Sequence, residues 1–119
     1  MAEIHIQDLL LRTVIGINEH ERNNRQDVIV NISFEYDSSE AEKSDGIEHT
    51  VNYREISKKI IDRVENSSFF LVEKLASVLL GIIMENKRVN KAEVKIDKPH
   101  ALRFAESVSV TLRRNRDDK

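Results

Sequence analysis

Residues 27–36 read DVIVNISFEY. Val28, Val30, Ile32, Phe34 and Tyr36 fall on one side of an extended chain, and Asn31, Ser33 and Glu35 on the other. That alternation of period two predicts a strand with one face in a core and the other toward water. The same pattern recurs further along. Ala92, Val94 and Ile96 alternate with Glu93, Lys95 and Asp97, and Val108, Val110 and Leu112 alternate with Ser107, Ser109 and Thr111. Before the quoted stretch, Ile4 and Ile6 open another strand whose apolar parity shifts at Leu9 and Leu11. A one-residue shift predicts a bulge near Gln7 and Asp8.

Between the second and third strands the period lengthens. Ile56, Ile60, Ile61 and Val64 share a helical stripe, with Asn52 as N-cap and Glu55 three residues on. Leu71, Val72, Leu75, Leu79 and Ile83 predict a second helix, starting near Ser67 or Ser68 and ending in the stretch from Asn86 to Asn90. Ser38 to Ser44 predict a short helical turn. The order β-β-α-α-β-β gives an α+β fold, an antiparallel four-stranded sheet with two helices on one face. The opposite face, rich in Asn, Ser, Thr, Glu and Lys, has no predicted cover, and the sheet edges need pairing or protection. Closing several sheets into a ring would meet that need.

A chain of 119 residues suits one domain, 1–119, with RRNRDDK at 113–119 expected as a mobile tail. Hydrophobic residues at 39% beside charged residues at 34% indicate a globular chain rather than a disordered one. A net charge of -2 gives no reason to expect nucleic acid or an acidic membrane as partner. With Cys 0, disulfides and thiolate metal sites are excluded. MAEIHIQDLL does not read as a signal peptide, and the apolar run from Leu75 to Met84 is too short to cross a bilayer, so a soluble cytoplasmic protein is expected.

Several polar residues invite a chemical reading, each beside a plainer one. Glu73 lies in the early turns of an otherwise apolar helix, where a carboxylate could hold a guanidine-like edge; a solvated helix glutamate is the plainer account. Lys98, in IDKPHALR, stands where a chain leaves the sheet and could move protons, or it is a surface lysine. Tyr53 could stack on a ligand or only pack on the helix it begins, and Glu21 sits in the loop INEHERNNRQD. Arg22, Arg25, Arg54, His100 and Arg103 are basic residues of the same loops, readable as phosphate partners or as ordinary surface charge. The histidines at 5, 20, 49 and 100 lack metal-site spacing, so no metal and no cofactor is expected. Nor is there a P-loop, a GxGxxG or a GxSxG.

Taken together, LRTVIGINEHERNNRQD, TVNYREI, FFLVEKLA and VKIDKPHALRFAESVSV stand in the order and spacing of the dihydroneopterin aldolase family. The resemblance covers about residues 3 to 113 and carries an IG-x-x-x-x-E loop, a TV-x-Y segment, an LxE on the second helix and a K-P after the third strand. It implies the tunnelling fold, in which four β-β-α-α-β-β subunits join sheets into a barrel and two rings stack into an octamer, with active sites between subunits. By position, Glu73 resembles the glutamate that anchors a pterin, and Lys98 the catalytic lysine. Glu21 is similar to the loop glutamate that assists proton transfer. Tyr53, Val51 and Asn52 resemble residues that reach the ligand from the neighbouring subunit, and Leu71 and Val72 those that give backbone contacts.

The resemblance also implies the reaction. A 7,8-dihydropterin carries its own ring C=N, which accepts electrons when the bond between the first two side-chain carbons breaks. NNRQD, NYR and IDK-x-HALR-x-A-x-SVS resemble the branch that epimerises dihydroneopterin triphosphate at C2', with His100 and Arg103 as phosphate partners. Pro99 follows the lysine as in many aldolases, so formation of 6-hydroxymethyl-7,8-dihydropterin and glycolaldehyde stays as the alternative. A pterin-binding module without catalysis would keep Glu73 but not need Lys98, and a basic sheet for nucleic acid does not fit these strand faces.

Overall fold

In the computed structural model, which describes residues 1–117, the alternating stretches form long strands of one curled sheet. The strands are β1 (Ala2–Ile15), β2 (Gln26–Tyr36), β3 (Ser68–Phe69), β4 (Val89–Pro99) and β5 (Ser107–Asn115). Helices α1 (Glu19–Arg22), α2 (Ser39–Ser44), α3 (Tyr53–Glu65) and α4 (Val72–Met84) lie between them. The sheet order is β3-β1-β2-β4-β5. The expected antiparallel four-stranded sheet is therefore corrected to a five-stranded mixed one, because β3 runs parallel to the end of β1, Val14 beside Ser68 and Ile15 beside Phe69.

The same two residues correct the start of the second helix, which begins at Val72 and not near Ser67. Ser67 and Ser68 are held elsewhere. The Thr13 hydroxyl donates to the Ser67 carbonyl at 3.0 Å, and the Gly16 N–H donates to the Phe69 carbonyl at 3.3 Å. A segment whose backbone is already paired in a sheet cannot also open a helix. The expected tail is corrected too: Arg113, Arg114 and Asn115 pair in β5 with Glu93, Ala92 and Lys91. Arg116 donates from its backbone N–H to the Asn90 carbonyl at 2.8 Å, and the rest of that expectation, at 118 and 119, lies outside the described residues.

The bulge falls between Ile6 and Leu9. Asp8 takes a φ of 55° there, and its N–H donates to Asn31 Oδ1 at 2.8 Å. The extra residue returns Leu11, Thr13 and Ile15 to the face begun by Ile4 and Ile6. On that face Val28, Val30, Phe34, Val94 and Ile96 meet Ile56, Ile60 and Val64 of α3 and Leu75, Leu79 and Ile83 of α4 in one core. Asn52 caps α3 by accepting from the Glu55 N–H at 3.1 Å. The molecule is elongated, 52 × 26 × 24 Å, along its strands. Among the described residues no helix is long and apolar enough to cross a membrane.

Candidate active site

At one end of the long axis β1 finishes and the chain turns through Gly16, whose φ of 132° suits glycine. A side chain at this position would strike the Glu21 carboxylate, so the glycine also makes room for it. The one-turn helix α1 follows, opened by a reciprocal cap. Asn18 Oδ1 accepts from the Glu21 N–H at 2.9 Å, while Glu21 Oε1 accepts from the N–H groups of Ile17 at 3.1 Å and Asn18 at 3.4 Å. The carboxylate is thereby folded back under the turn. Its other oxygen, Oε2, accepts from Gln26 Nε2 at 3.4 Å and pairs with Lys98 Nζ.

Lys98 reaches this position through strand register. On β4 it continues the row of Ala92, Val94 and Ile96, the core-facing row, and it lies inside the strand rather than after it. Gln26 holds the matching place below Val28 on β2 and anchors itself by donating to the Ile15 carbonyl at 2.9 Å. The Lys98 and Glu21 side chains are only 12% and 18% exposed, so the pair is largely shielded from water. The hydrogen bond from Lys98 holds the Glu21 carboxyl below the ordinary glutamate range; burial opposes this, and bonds from Gln26 and the Asn18 backbone reinforce it. Glu21 is thus a carboxylate at neutral pH, with a cationic amine as partner.

The remaining expected residues fall into two groups. Glu73 lies exposed in the first turn of α4, just after β3, and Leu71 is the helix N-cap, 47% exposed. Val72 is partly buried against the core. Because β3 pairs with Val14 and Ile15, this helix start leaves from the same end of the sheet as Glu21 and Lys98. His100 and Arg103 occupy the exposed loop directly after Lys98; His100 takes a φ of 60°, and the Arg103 guanidinium stacks 5.2 Å from the Phe104 ring.

Val51, Asn52 and Tyr53 stand at the other end. The Tyr36 and Thr50 hydroxyls share a hydrogen bond of 3.1 Å there, and Tyr36 is paired toward Ala2, at the opposite end of β1 from Ile15. Tyr53 opens α3, a helix about 18 Å long that runs toward β3, so it stands at the far end of that helix from the Lys98 end of the sheet. Tyr53 is 52% exposed and lines a groove of about 990 Å³ along α3 and β1, whose walls include Ile4, Tyr36, Arg54 and Ile61 but none of Glu21, Glu73 or Lys98. The Val51 side chain is 1% exposed and belongs to the core, and the Asn52 side chain is engaged as the α3 cap.

Gln26 and Asn18 carry no role in the sequence reading, and Gly16 enters it only as the glycine of the IG-x-x-x-x-E loop. Gln26 had a visible signal, a polar residue at the end of an apolar row, and so did Lys98. Arg22 is not free for phosphate, since it donates to main-chain carbonyls of Gly16, Ser68 and Phe69; Arg25 is exposed, with one long bond of 3.5 Å from its guanidinium to the Arg12 carbonyl. Among the described residues no group of His, Cys, Asp or Glu is placed to hold a metal ion.

Comparison with known proteins adds three findings. The family model for dihydroneopterin aldolase matches residues 4–113. The chain is 52% identical over 94% of its length to the dihydroneopterin triphosphate 2'-epimerase of Pseudomonas aeruginosa, covering 91% of that protein. It is 50% identical to the epimerase of the same name from Escherichia coli K12, over 93% of this chain and 92% of that one. Among solved structures, E. coli dihydroneopterin aldolase in complex with neopterin superposes with a TM-score of 0.90 at 27% identity, across 97% of this chain and 100% of that one.

Proposed function

Because the chain belongs to the dihydroneopterin aldolase family, we propose that residues 1–119 form one catalytic domain that epimerises 7,8-dihydroneopterin triphosphate at C2', giving dihydromonapterin triphosphate. The observation that carries this is the shielded Glu21–Lys98 pair at the end of the core-facing rows, at the same end as the start of α4 that bears Glu73. The greater identity to epimerases than to the aldolase of known structure sets the branch.

The residues divide the work by their chemistry. Glu73, in the first turn of a helix, accepts two parallel hydrogen bonds from the amino-pyrimidinone edge, and the N–H groups at Leu71 and Val72 add backbone contacts. Lys98 moves protons through a bound water. The 2'-hydroxyl loses its proton, the bond between C1' and C2' breaks, and its electron pair passes through C6 to the ring imine, whose nitrogen takes a proton. The pterin is its own electron sink, so the lysine forms no covalent bond. The aldehyde fragment turns over and re-adds, C1' attacks its opposite face, and the proton returns to the new hydroxyl. Glu21 keeps the ammonium in place and its charge balanced within a shielded site. His100 and Arg103, on the exposed loop after Lys98, are the side chains proposed to meet the triphosphate.

We also propose that a second copy completes the site. Tyr53 stands at the far end of α3 from Lys98 within one chain, so its contribution, with the backbone of Val51 and Asn52, comes from a neighbour. The outer edges of β1 and β5 then pair between copies in a four-membered ring, two rings forming an octamer.

Loss of the aldehyde before it re-adds would make the same steps an aldolase, and Pro99 after the lysine is shared with that branch. Product analysis with dihydroneopterin and its triphosphate side by side tests the choice. The expected result is dihydromonapterin triphosphate as the main product from the triphosphate. Dominant 6-hydroxymethyl-7,8-dihydropterin from the unphosphorylated substrate would reverse it.

A further inference from the structure

Arg22 closes α1 and is adjacent in sequence to Glu21. A basic residue in the last turn of a helix needs no special account, yet this side chain is half-buried and committed to main chain on other elements. Its Nη2 donates to the Ser68 carbonyl at 2.7 Å, and its Nη1 donates to the Phe69 carbonyl at 3.0 Å and, more weakly, to the Gly16 carbonyl at 3.4 Å. The guanidinium also lies 4.1 Å from the centre of the Phe70 ring. The fork therefore grips the turn that leads into the Glu21 loop and, at the same time, the strand that leads into α4.

That strand needs the grip. β3 is two residues long and pairs with β1, so its carbonyls have little ladder to satisfy them. The helix that follows gains no side-chain cap either, because Leu71 offers no acceptor. Two things thus set where α4 begins: the packing of its apolar face and the hold on Ser68 to Phe70. Arg22 supplies much of the second, and it grows from the same turn of helix as the carboxylate that holds Lys98.

Resting on the function proposed above, we infer that Arg22 is a positioning residue. It fixes the spacing between the Glu21–Lys98 pair and the Glu73-bearing start of α4, and so sets the side-chain carbons of a bound pterin against the lysine. Its hydrogen bonds go to main-chain carbonyls and not to Lys98, and it is assigned no contact with the pterin. Its loss therefore lowers turnover more than affinity, since reacting groups misplaced by about 1 Å can lose a hundredfold in rate while each remains present.

The test compares wild type, Arg22→Met, Arg22→Lys, Glu21→Gln and the Glu21→Gln/Arg22→Met double variant, measuring kcat, neopterin affinity and the Glu21 carboxyl titration by NMR. Expected for Arg22→Met are a kcat loss of about tenfold or more, neopterin affinity within about threefold of wild type, and a Glu21 titration that stays below the ordinary glutamate range, because Lys98, Gln26 and the Asn18 backbone still hold the carboxylate. Arg22→Lys should not restore kcat, because an ammonium cannot fork between these carbonyls. In the Glu21→Gln background, Arg22→Met should add little, as expected for residues acting in one unit. Unchanged kcat in Arg22→Met, a kcat loss accompanied by a Glu21 titration risen to the ordinary range, full recovery in Arg22→Lys, or a full multiplicative loss in the double variant would each overturn the inference. Should Arg22→Met fail to fold, Arg22→Gln keeps an amide donor and is read in the same way. The two failures are distinguishable: a wild type inert toward both pterins refutes the proposed function, whereas an active wild type matched in kcat by Arg22→Met refutes the role of Arg22.

Discussion

Glu21 is held by its own loop before any ligand arrives. Two backbone N–H groups, a side-chain amide and an ammonium converge on one carboxylate. Its ionisation should therefore be linked to stability, with a definite sign. The folded-state pKa is lowered, so the contribution is present above the unfolded value of about 4.5 and is lost as pH falls through the folded value. Urea unfolding at about pH 7 and about pH 3 should show wild type more stable than Glu21→Gln at the first and the gap narrowed at the second; a gap independent of pH would count against the ion pair. Lys98 and Glu73 should separate catalysis from binding. Lys98→Ala is expected to abolish turnover while neopterin still binds, and Glu73→Ala to lose binding by leaving the ligand's paired donors unmet. Calorimetric titration beside a turnover assay checks both, and retained affinity in Glu73→Ala would remove its anchoring role. How far these residues were legible differs in kind. Lys98 taken alone reads as a residue after a strand, because Pro99 and the loop beyond it interrupt the alternation that ends in Ile96 and Asp97; its parity nevertheless matches the apolar row. Its pairing with Glu21, across 77 residues of chain, has no local signal, and only the family resemblance suggested that the two belong together.

Elements with a sustained period came through with little change. β2 extends one residue beyond the quoted stretch, the bulge sits at the parity shift, and the Asn52 cap is where the polar residue preceded the helical stripe. β3 could not be seen, since two residues carry no periodicity and its partner is a parallel neighbour distant in sequence. Missing it moved the start of α4 forward by several residues, because Ser67 and Ser68 resemble helix caps until their tertiary partners are known. Asn52 has two readings, cap and ligand neighbour, and they predict different things. Asn52→Ala should cost about 1 kcal/mol of stability by urea unfolding, whereas Asn52→Asp should keep most of it. No loss in the alanine variant would mean that packing alone fixes the start of α3.

At the scale of the whole molecule, the separation of Tyr53 from Lys98 is the decisive dimension. It follows from register and from the length of α3, neither of which names a partner, so the sequence left the ring as an expectation and the chain leaves it as a proposal. Complementation tests it. Lys98→Ala and Tyr53→Ala, each inactive or nearly so, should recover activity when unfolded together and reassembled, because some sites then take a wild-type residue from each chain. Random mixing makes about a quarter of the sites intact, and no recovery in a reassembled mixed oligomer would show that one chain supplies both residues. The two-ended layout has a further consequence. An arc of copies left open has an idle half-site at each terminus, so it always contains fewer working centres than chains. In the proposed ring only a closed circle uses every half; opening it costs one centre, and dilution to single chains should leave none working before any chain has unfolded.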